Sequence, residues 1–318
     1  MSPSAFIAGR DLDRDITLDA DAVVIGTGAG GSIALRELAR SGMNVVALEE
    51  GEHARSCDFD QREADMYPRL FQECAGRATE DMAIRVLQGS GVGGSTIHNT
   101  NLCKRTPDAI LDSWARRHGV VGASADVLEG AFEAVERDLS VSEIQPTMRN
   151  ANNEVLRVGC EALGWRAGPL AHNRVGCQES GFCELGCAYD AKQNALKIVI
   201  PQAVAAGARV YSDVQARRLL HDRSRIVGVE GVALDCAGNR RAAVKVRAPI
   251  VVLAASAVGS AALARVRRVP DPYDQLGRGL RLHPGGAVAG RFERELFGWR
   301  GIPQSYECTE HLSHEEGS

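Results

Sequence analysis

The sequence predicts an α/β chain: a Rossmann-like dinucleotide-binding domain on a parallel sheet, with an inserted β-meander and a helical, cysteine-rich insertion. Three observations carry this. A glycine turn, GTGAGG at 26–31, lies between an apolar tetrapeptide and a helical pattern. A second glycine cluster, GSGVGGSTIHN, occupies 89–99. Far along the chain, short strand-like runs separated by turn signals lead into the apolar run 250–255.

Residues 22–25, Ala-Val-Val-Ile, suit a strand buried on both faces of a parallel sheet. Gly26, Gly28 and Gly31 then satisfy G-x-G-x-x-G. The first glycine allows the tight turn, the second lets backbone approach a pyrophosphate, and the third lets helix and strand pack closely. The helix that follows has Ile33, Ala34, Leu38 and Ala39 as its predicted apolar face, and Gly42 can close it in a left-handed cap. A diphosphate would rest on the free amides and positive end of that helix. A second strand over 45–48 ends at Glu49, placed to accept hydrogen bonds from ribose hydroxyls. Glu49 would repel a 2′-phosphate, which disfavours NADP. The unit by itself does not separate FAD from NAD.

The chain has 318 residues, 44% hydrophobic and 25% charged, the balance of a globular protein of one large or two ordinary domains. Lys and Arg number 37 against 41 Asp and Glu, a net charge of −4 that argues against a nucleic-acid partner. No apolar run approaches the roughly 20 residues of a membrane span. The opening MSPSAFIAGRDLDRD lacks a basic stretch followed by an apolar core, so a cytoplasmic location is expected; export with a partner stays open. Nine cysteines, an odd number, fit a reducing compartment, where a cysteine cluster is metal-binding or redox-active rather than a disulfide framework.

Two features favour FAD over NAD. An irregular stretch of about 35 residues precedes the second glycine cluster, longer than ordinary loops. A nicotinamide dehydrogenase of the doubly wound kind would instead continue with regular alternation of strand and helix. The runs 208–211, 216–220, 226–234 and 242–247 read as a β-meander, with Ala216 a candidate cofactor contact. The run after them ends in Ala254, Ala255, Ser256 and Ala257, small residues that leave space beside a cofactor. A meander inserted before the last sheet strand is the plan of many FAD domains.

With these features in hand, the chain resembles the glucose–methanol–choline (GMC) family of flavoprotein oxidoreductases. The matching stretches are the dinucleotide unit at 21–51, GVGGSTIHN at 91–99, VVLAASAVGSAAL at 251–263, LGRGLRLHPGG at 276–286 and GWRGIPQS at 298–305. Within that family it looks nearest to bacterial long-chain alcohol oxidase-like and gluconate- or sugar-dehydrogenase-like members. Ser256 stands where the family usually has glycine. The resemblance implies a Rossmann-like FAD-binding domain over 20–290, a helical and cysteine-rich insertion over about 106–189, and the start of a truncated substrate domain at 291–318. It implies an enzyme that passes hydride from an alcohol CH–OH to flavin N5.

The resemblance also implies that GGSTIHN lines the isoalloxazine ring. Gly93, Gly94 and Ser95 would let backbone approach the flavin, and Asn99 would follow the turn. His98 sits where choline oxidase-like members carry the histidine bonded to the flavin 8α carbon. Such a bond needs a neutral imidazole nitrogen as nucleophile, which histidine supplies near neutral pH. A histidine behind the flavin, making one hydrogen bond, is the alternative.

Residues 172–192 read HNRVGCQESGFCELGCAYDAK, with Cys177, Cys183 and Cys187 spaced C-x5-C-x3-C among Gly176, Gly181 and Gly186. Zinc would want a fourth ligand, for which His172 is the candidate, although its spacing matches no common finger. An iron–sulfur cluster is the other metal reading. The segment is similar to the three-cysteine stretch that holds a [3Fe–4S] cluster in catalytic subunits of membrane-associated glucose and fructose dehydrogenases. Loop thiols without a metal are the plain alternative. The remaining cysteines read as ordinary semi-buried residues.

Helices are predicted from Thr106-Pro107 to Gly119, after Ser124 with Leu128, Phe132, Val135 and Leu139 on one side, and over 151–163 ending at Gly164. Trp114 and Trp165 read as core residues, and His311 and His314 as solvated. The resemblance places the family's catalytic histidine in its C-terminal half, with no counterpart in this sequence; His283, in LHPGG, belongs to a structural motif. The catalytic base is therefore unassigned. The expected partners are a small alcohol, a chain supplying the substrate domain, and a cytochrome or other electron acceptor. A cofactor-holding electron-transfer subunit, an inactive truncated product and an NAD-dependent dehydrogenase are the competing readings.

Overall fold

A computed structural model describes residues 5–223, 225–266, 269–282 and 285–312; His283 and His314 lie outside them. In chain order the elements are β1 (Phe6–Ala8), β2 (Ile16–Asp19), β3 (Ala22–Ile25), α1 (Ala29–Arg40), β4 (Val45–Leu48), α2 (Glu63–Leu70), α3 (Asp108–His118) and α4 (Ala125–Asp138). Then come β5 (Ser142–Glu143), α5 (Ala151–Leu163), β6 (Ala167–Pro169), β7 (Ala171–His172), α6 (Ile200–Ala205) and β8 (Arg209–Ser212). The last are β9 (Val214–Asp222), β10 (Arg225–Leu234), β11 (Arg240–Arg247), β12 (Ile250–Leu253), α7 (Ser256–Val266) and β13 (Tyr306–Cys308). The chain divides into two units. The first comprises 1–98, 184–188 and 194–287, and the second 99–183, 189–193 and 288–318. The helical, cysteine-rich insertion expected over about 106–189 thus makes up most of the second unit, which opens at Asn99 and takes in 288–318 as well.

The first unit is built on a five-stranded parallel sheet of order β1-β8-β4-β3-β12. Every residue of β3 and β4 is buried, as unbroken apolar strands covered on both faces require. A second sheet, β2-β11-β10-β9, is the meander, with β2 added in parallel to β11. Leu219, Val229, Val244 and Val246 of the meander pack on Val23, Ile25, Val46 and Leu48 of the parallel sheet. Helices α1 and α6 are joined by Arg36 Nη1 donating to Gln202 Oε1 at 3.0 Å.

Three expectations change here. The run at 208–211 is not the first meander strand: β8 enters the parallel sheet between β1 and β4, because Val210 and Tyr211 are apolar and buried. The sheets also recruit β1 and β2, which precede the expected domain start at residue 20. The buried face of α1 is Ser32, Leu35, Arg36 and Ala39, whereas Ile33, Ala34 and Leu38 are half-buried. The close approach of Gly31 to the preceding turn sets the rotation of this helix, and the apolar pattern alone does not.

Ser256 has φ +60°, a conformation that disfavours a side chain. A glycine at this point would have a backbone reason. Ser256→Gly is expected to stabilise the chain by about 0.5–1 kcal/mol, the relieved strain less the added freedom of glycine in the unfolded chain. Thermal melting checks it; a lowered midpoint refutes it.

The second unit holds α3, α4 and α5 with two short ribbons, β5–β7 and β6–β13. Its core centres on Ile144, Leu170 and Ile302. Asn150 Oδ1 accepts from Asn153 N at 2.8 Å and caps α5. Asn153 Oδ1 in turn accepts from Ser305 N and Tyr306 N at 3.1 Å each, so the GIPQS segment packs on α5. Gly119 (φ +63°) and Gly164 (φ +68°) end α3 and α5 where the sequence predicts. Pro107 is the cap residue of α3 rather than its first turn. Trp114 and Trp165 are 43% and 41% exposed, so neither is a core residue; Trp165 meets the edge of His311. Among the described residues no helix is long and apolar enough to cross a membrane.

Candidate functional site

The site grows out of the turn between β3 and α1. Gly26 N donates to Leu48 O at 2.8 Å, and Ala254 N donates to Ile25 O at 2.8 Å, which wedges the turn between β4 and the end of β12. Gly26 has φ +94°, and a Cβ there would fall 2.5 Å from Ala254 O. A Cβ on Gly31 would fall 2.0 Å from Gly26 O. The first and third glycines therefore do the local work that the motif demands: turning the chain and letting α1 lie against it. The second glycine faces outward. A Cβ on Gly28 would meet only Gly94 Cα, at 3.9 Å.

The second glycine cluster lies against the first. Gly94 has φ +53°, and a Cβ there would fall 2.7 Å from Gly28 Cα. Gly93 N donates to Thr27 Oγ1 at 3.1 Å. Thr27 Oγ1 donates to Glu49 Oε2 at 2.8 Å, and Thr27 N donates to the same oxygen at 2.9 Å. Gly51 N donates to Glu49 Oε1 at 3.2 Å. One buried threonine thus ties the turn, the acid at the end of β4 and the second glycine cluster together. Burial pushes the Glu49 carboxyl above its ordinary range, and the Thr27 and Gly51 hydrogen bonds pull it back.

These groups surround a cavity of about 800 Å³, within the roughly 300–1,000 Å³ of small-molecule sites. Of the residues singled out from sequence, Gly26, Gly28, Glu49, Gly94, Ser95 and Ala216 line it, as do Ala254, Ala255 and Ser256. Gly31 and Gly93 lie behind the lining. His98 is not a lining residue; it is buried with its ring tilted 38° against that of Phe71, centroids 4.0 Å apart, and its Nε2 lies 2.7 Å from where a Gly89 Cβ would be. Asn99 belongs to the second unit, where its Oδ1 accepts from Asn101 N at 3.3 Å.

Sequence reasoning missed part of the wall. Gln215 Nε2 donates to Glu50 Oε2 at 3.1 Å, Gln72 Nε2 donates to Glu50 Oε1, and Arg77 Nη1 donates to Gln88 Oε1 at 2.6 Å. All five side chains line the cavity. Gln72, Arg77 and Gln88 come from the irregular stretch before the second glycine cluster, which has no periodicity to mark a face. Thr27 was missed as well; its only signal is a hydroxyl at a variable position of the glycine motif.

Cys177 and Cys183 belong to the second unit and Cys187 to the first. Cys177 Sγ accepts from Glu179 N at 3.4 Å, and Cys183 Sγ accepts from Arg174 Nη2 at 3.7 Å. His172 shares a 3.0 Å contact at Nδ1 with Arg174 Nη1. A guanidinium cannot accept, so Nδ1 must accept and the ring proton sits on Nε2. Burial first, then the Arg174 charge, pushes this histidine down to about 4 and keeps it neutral. Among the described residues no group of three or more His, Cys, Asp or Glu is placed to hold a metal ion. The zinc and [3Fe–4S] readings have no assembled ligand set.

The family model described as GMC oxidoreductase matches residues 20–285. The chain belongs to the GMC oxidoreductase family. An uncharacterized GMC-type oxidoreductase of Mycobacterium tuberculosis is 35% identical over 303 residues, covering 93% of this chain and 46% of that protein. A long-chain-alcohol oxidase of Arabidopsis thaliana is 26% identical over 316 residues, covering 96% of this chain and 40% of that protein. The chain spans about half the length of the curated relatives it matches. Pyridoxine 4-oxidase from Mesorbium loti shares the fold at a TM-score of 0.59 and 18% identity, covering 78% of this chain and 52% of the other. Formate oxidase does so at 0.57 and 15%, covering 79% and 48%.

FAD, the cofactor of this GMC family, fits the cavity. The turn presents bare backbone where a diphosphate must come close: Gly28 is open, and a Cβ on Gly30 would meet nothing within 4 Å. The start of α1 contributes Gly28, Ala29 and Gly30 to the lining, the helix end that favours an anion.

Proposed function

We propose that this chain is the FAD-binding part of a flavin-dependent oxidoreductase acting on alcohols. The observation that carries the reading is the meeting of the two glycine clusters and Glu49 on one cavity, joined through Thr27. In this reading the start of α1 holds the diphosphate and Glu49 accepts from ribose hydroxyls. Gly94 and Ser95 bring backbone to the flavin end, and Ala216 borders the nucleotide from β9. Bound FAD supplies the acceptor for hydride leaving the alcohol CH–OH carbon. The chain's own contribution is to fix and orient that acceptor. The group that takes the hydroxyl proton belongs, by the resemblance, to the part of the relatives' length that this chain does not span. That part, in the same polypeptide or in a partner chain, would cover the site. Its support is the open side of the sheet: β12 pairs with β3 and, among the described residues, with no other strand, while Ile250 and Val266 are exposed.

His98, buried under Phe71, fits a histidine that braces the wall at Gly89 better than one bonded to the flavin. An iron–sulfur relay through Cys177, Cys183 and Cys187 is not part of this reading. The purified chain is expected to carry about one FAD, to release it into the supernatant on acid precipitation, and to contain less than one iron. An absorption spectrum before and after acid, with metal analysis, tests all three. A chain that neither retains nor takes up FAD refutes the function. Colour that stays with the acid pellet refutes only the non-covalent assignment.

A further inference from the structure

Two cysteines of the second unit are placed as a pair. Cys160 lies on α5 and is 2% exposed, and Cys308 closes β13 and is half-buried. The backbone puts them in one layer. Cys160 O accepts from Trp165 N at 2.9 Å, at the turn from α5 toward β6. In β6, Ala167 stands opposite Cys308 in the antiparallel register. Just past Cys308, Thr309 N donates to Arg166 O at 2.8 Å. Nearer the start of α5, Asn153 Oδ1 holds Ser305 N and Tyr306 N at 3.1 Å each. Both cysteines are free, and their side chains lie close enough to influence one another.

We propose that Cys160 and Cys308 form a dithiol that a low-molecular-weight disulfide of the glutathione class closes into an intramolecular disulfide, stapling α5 to β13. Asn153 holds β13 against α5 two helical turns before Cys160, and Cys308 lies two residues past Tyr306, so the two cysteines face one another across that contact and need little backbone movement to reach disulfide geometry. Burial and the neighbouring sulfur push the Cys160 thiol up, so the half-buried Cys308 is the first to react. Cys308 gives its proton to solvent, and its thiolate attacks one sulfur of the reagent. The reagent's S–S bond breaks and one thiolate leaves. Cys160, deprotonated in turn, attacks Cys308 Sγ in the mixed disulfide and expels the second thiolate. Two protein sulfurs are oxidised and one reagent disulfide is reduced to two thiols. The link would close the long segment from the end of α5 to β13, the kind of loop for which a crosslink restricts the unfolded chain most. It is independent of FAD.

The test uses the native full chain, incubated with excess oxidised glutathione, quenched in acid, alkylated and digested for mass spectrometry. A crosslinked peptide pairing Cys160 with Cys308 is expected, and so is a melting midpoint about 5 °C or more higher that dithiothreitol reverses. The exposed Cys57, Cys74 and Cys236 report that the reagent reached the protein. Cys308→Ser should lose both the crosslink and the reversible gain in melting midpoint, while those three cysteines react as before. The proposal is overturned if Cys308 keeps glutathione while Cys160 stays a thiol, if both stay thiols, or if either pairs with another cysteine.

Discussion

Gly31→Ala is expected to abolish FAD retention. The added methyl would stand 2.0 Å from Gly26 O, 3.0 Å from Gly26 C and 3.1 Å from Ala254 Cβ. Two of these are backbone atoms of the turn that presents Gly28 to the cavity, so no side chain can swing away to make room. Either α1 lifts off β3 or the turn unfolds, and both move the helix start from the diphosphate position. Overpacking of this kind costs about 1–3 kcal/mol and sometimes more. FAD affinity should fall by at least about 100-fold, roughly 2.7 kcal/mol, with a lower melting midpoint for the flavin-free chain as well. The flavin-to-protein absorbance ratio after gel filtration and a thermal melt read the two effects. Gly159→Ala is the control, since a methyl on that α5 residue would meet nothing within 4 Å and should raise stability by up to about 1 kcal/mol. If Gly31→Ala held a full complement of FAD at an unchanged midpoint, the close packing at this turn would be refuted.

Thr27→Val is the second large effect. Thr27 is fully buried, so valine keeps its shape and removes only the hydroxyl. Two partners lose it together: Glu49 Oε2 loses a donor, and Gly93 N loses its acceptor. Glu49 Oε2 keeps the Thr27 N donor, while Gly93 N is left without a partner. A buried polar group left unpaired costs about 1–3 kcal/mol and a lost hydrogen bond to a charged group about 1.5–3 kcal/mol, so the expected loss is about 2–4 kcal/mol, with weaker FAD binding because the second glycine cluster is no longer tied to the first. Thr27→Ser keeps the hydroxyl and should recover most of the loss. The deficit should also depend on pH. Burial already raises the folded Glu49 carboxyl above its unfolded value, so this group favours the fold at low pH and loses that contribution as pH rises through its folded value. Removing the Thr27 donor raises that folded value further. The gap between variant and parent should therefore be widest near neutral pH and shrink as pH falls toward the ordinary carboxylate range. Denaturant titrations across that range, showing a gap that is constant or widens on acidification, would sink the assignment of Thr27 to Glu49.

Much of the first unit was legible because its signals are local. The run Ala22–Ile25, the glycine turn, the helix and Glu49 follow one another within one stretch of chain, and each is dictated by its own backbone needs: a buried strand, a positive φ, a helix start and an acid at a strand end. The same holds for the glycines that end α3 and α5, and for Ser256, whose departure from glycine coincides with a positive φ. Where sequence reasoning erred, a distant partner decided. The run at 208–211 looks like any other short strand; only pairing with β1 and β4 puts it in the parallel sheet. β1 and β2 are short and unremarkable until β8 and β11 offer them hydrogen bonds. The face that α1 buries was misjudged because the contact of Gly31 with Gly26, and not the apolar pattern, sets its rotation.

The sequence by itself determined the dinucleotide turn, the acid that accompanies it and the second glycine cluster, since conformations that only glycine adopts freely leave their mark in the residues themselves. The tertiary structure decided what those pieces do to one another. It set Gly94 against Gly28, ran one hydroxyl between Glu49 and Gly93, and made a wall from the irregular stretch holding Gln72, Arg77 and Gln88. It brought Cys160 of α5 and Cys308 of β13 into one layer of the second unit. The reason is physical: a backbone conformation belongs to a residue, whereas a cavity, a shared hydrogen bond or a thiol pair exists only between groups that the chain brings together from far apart.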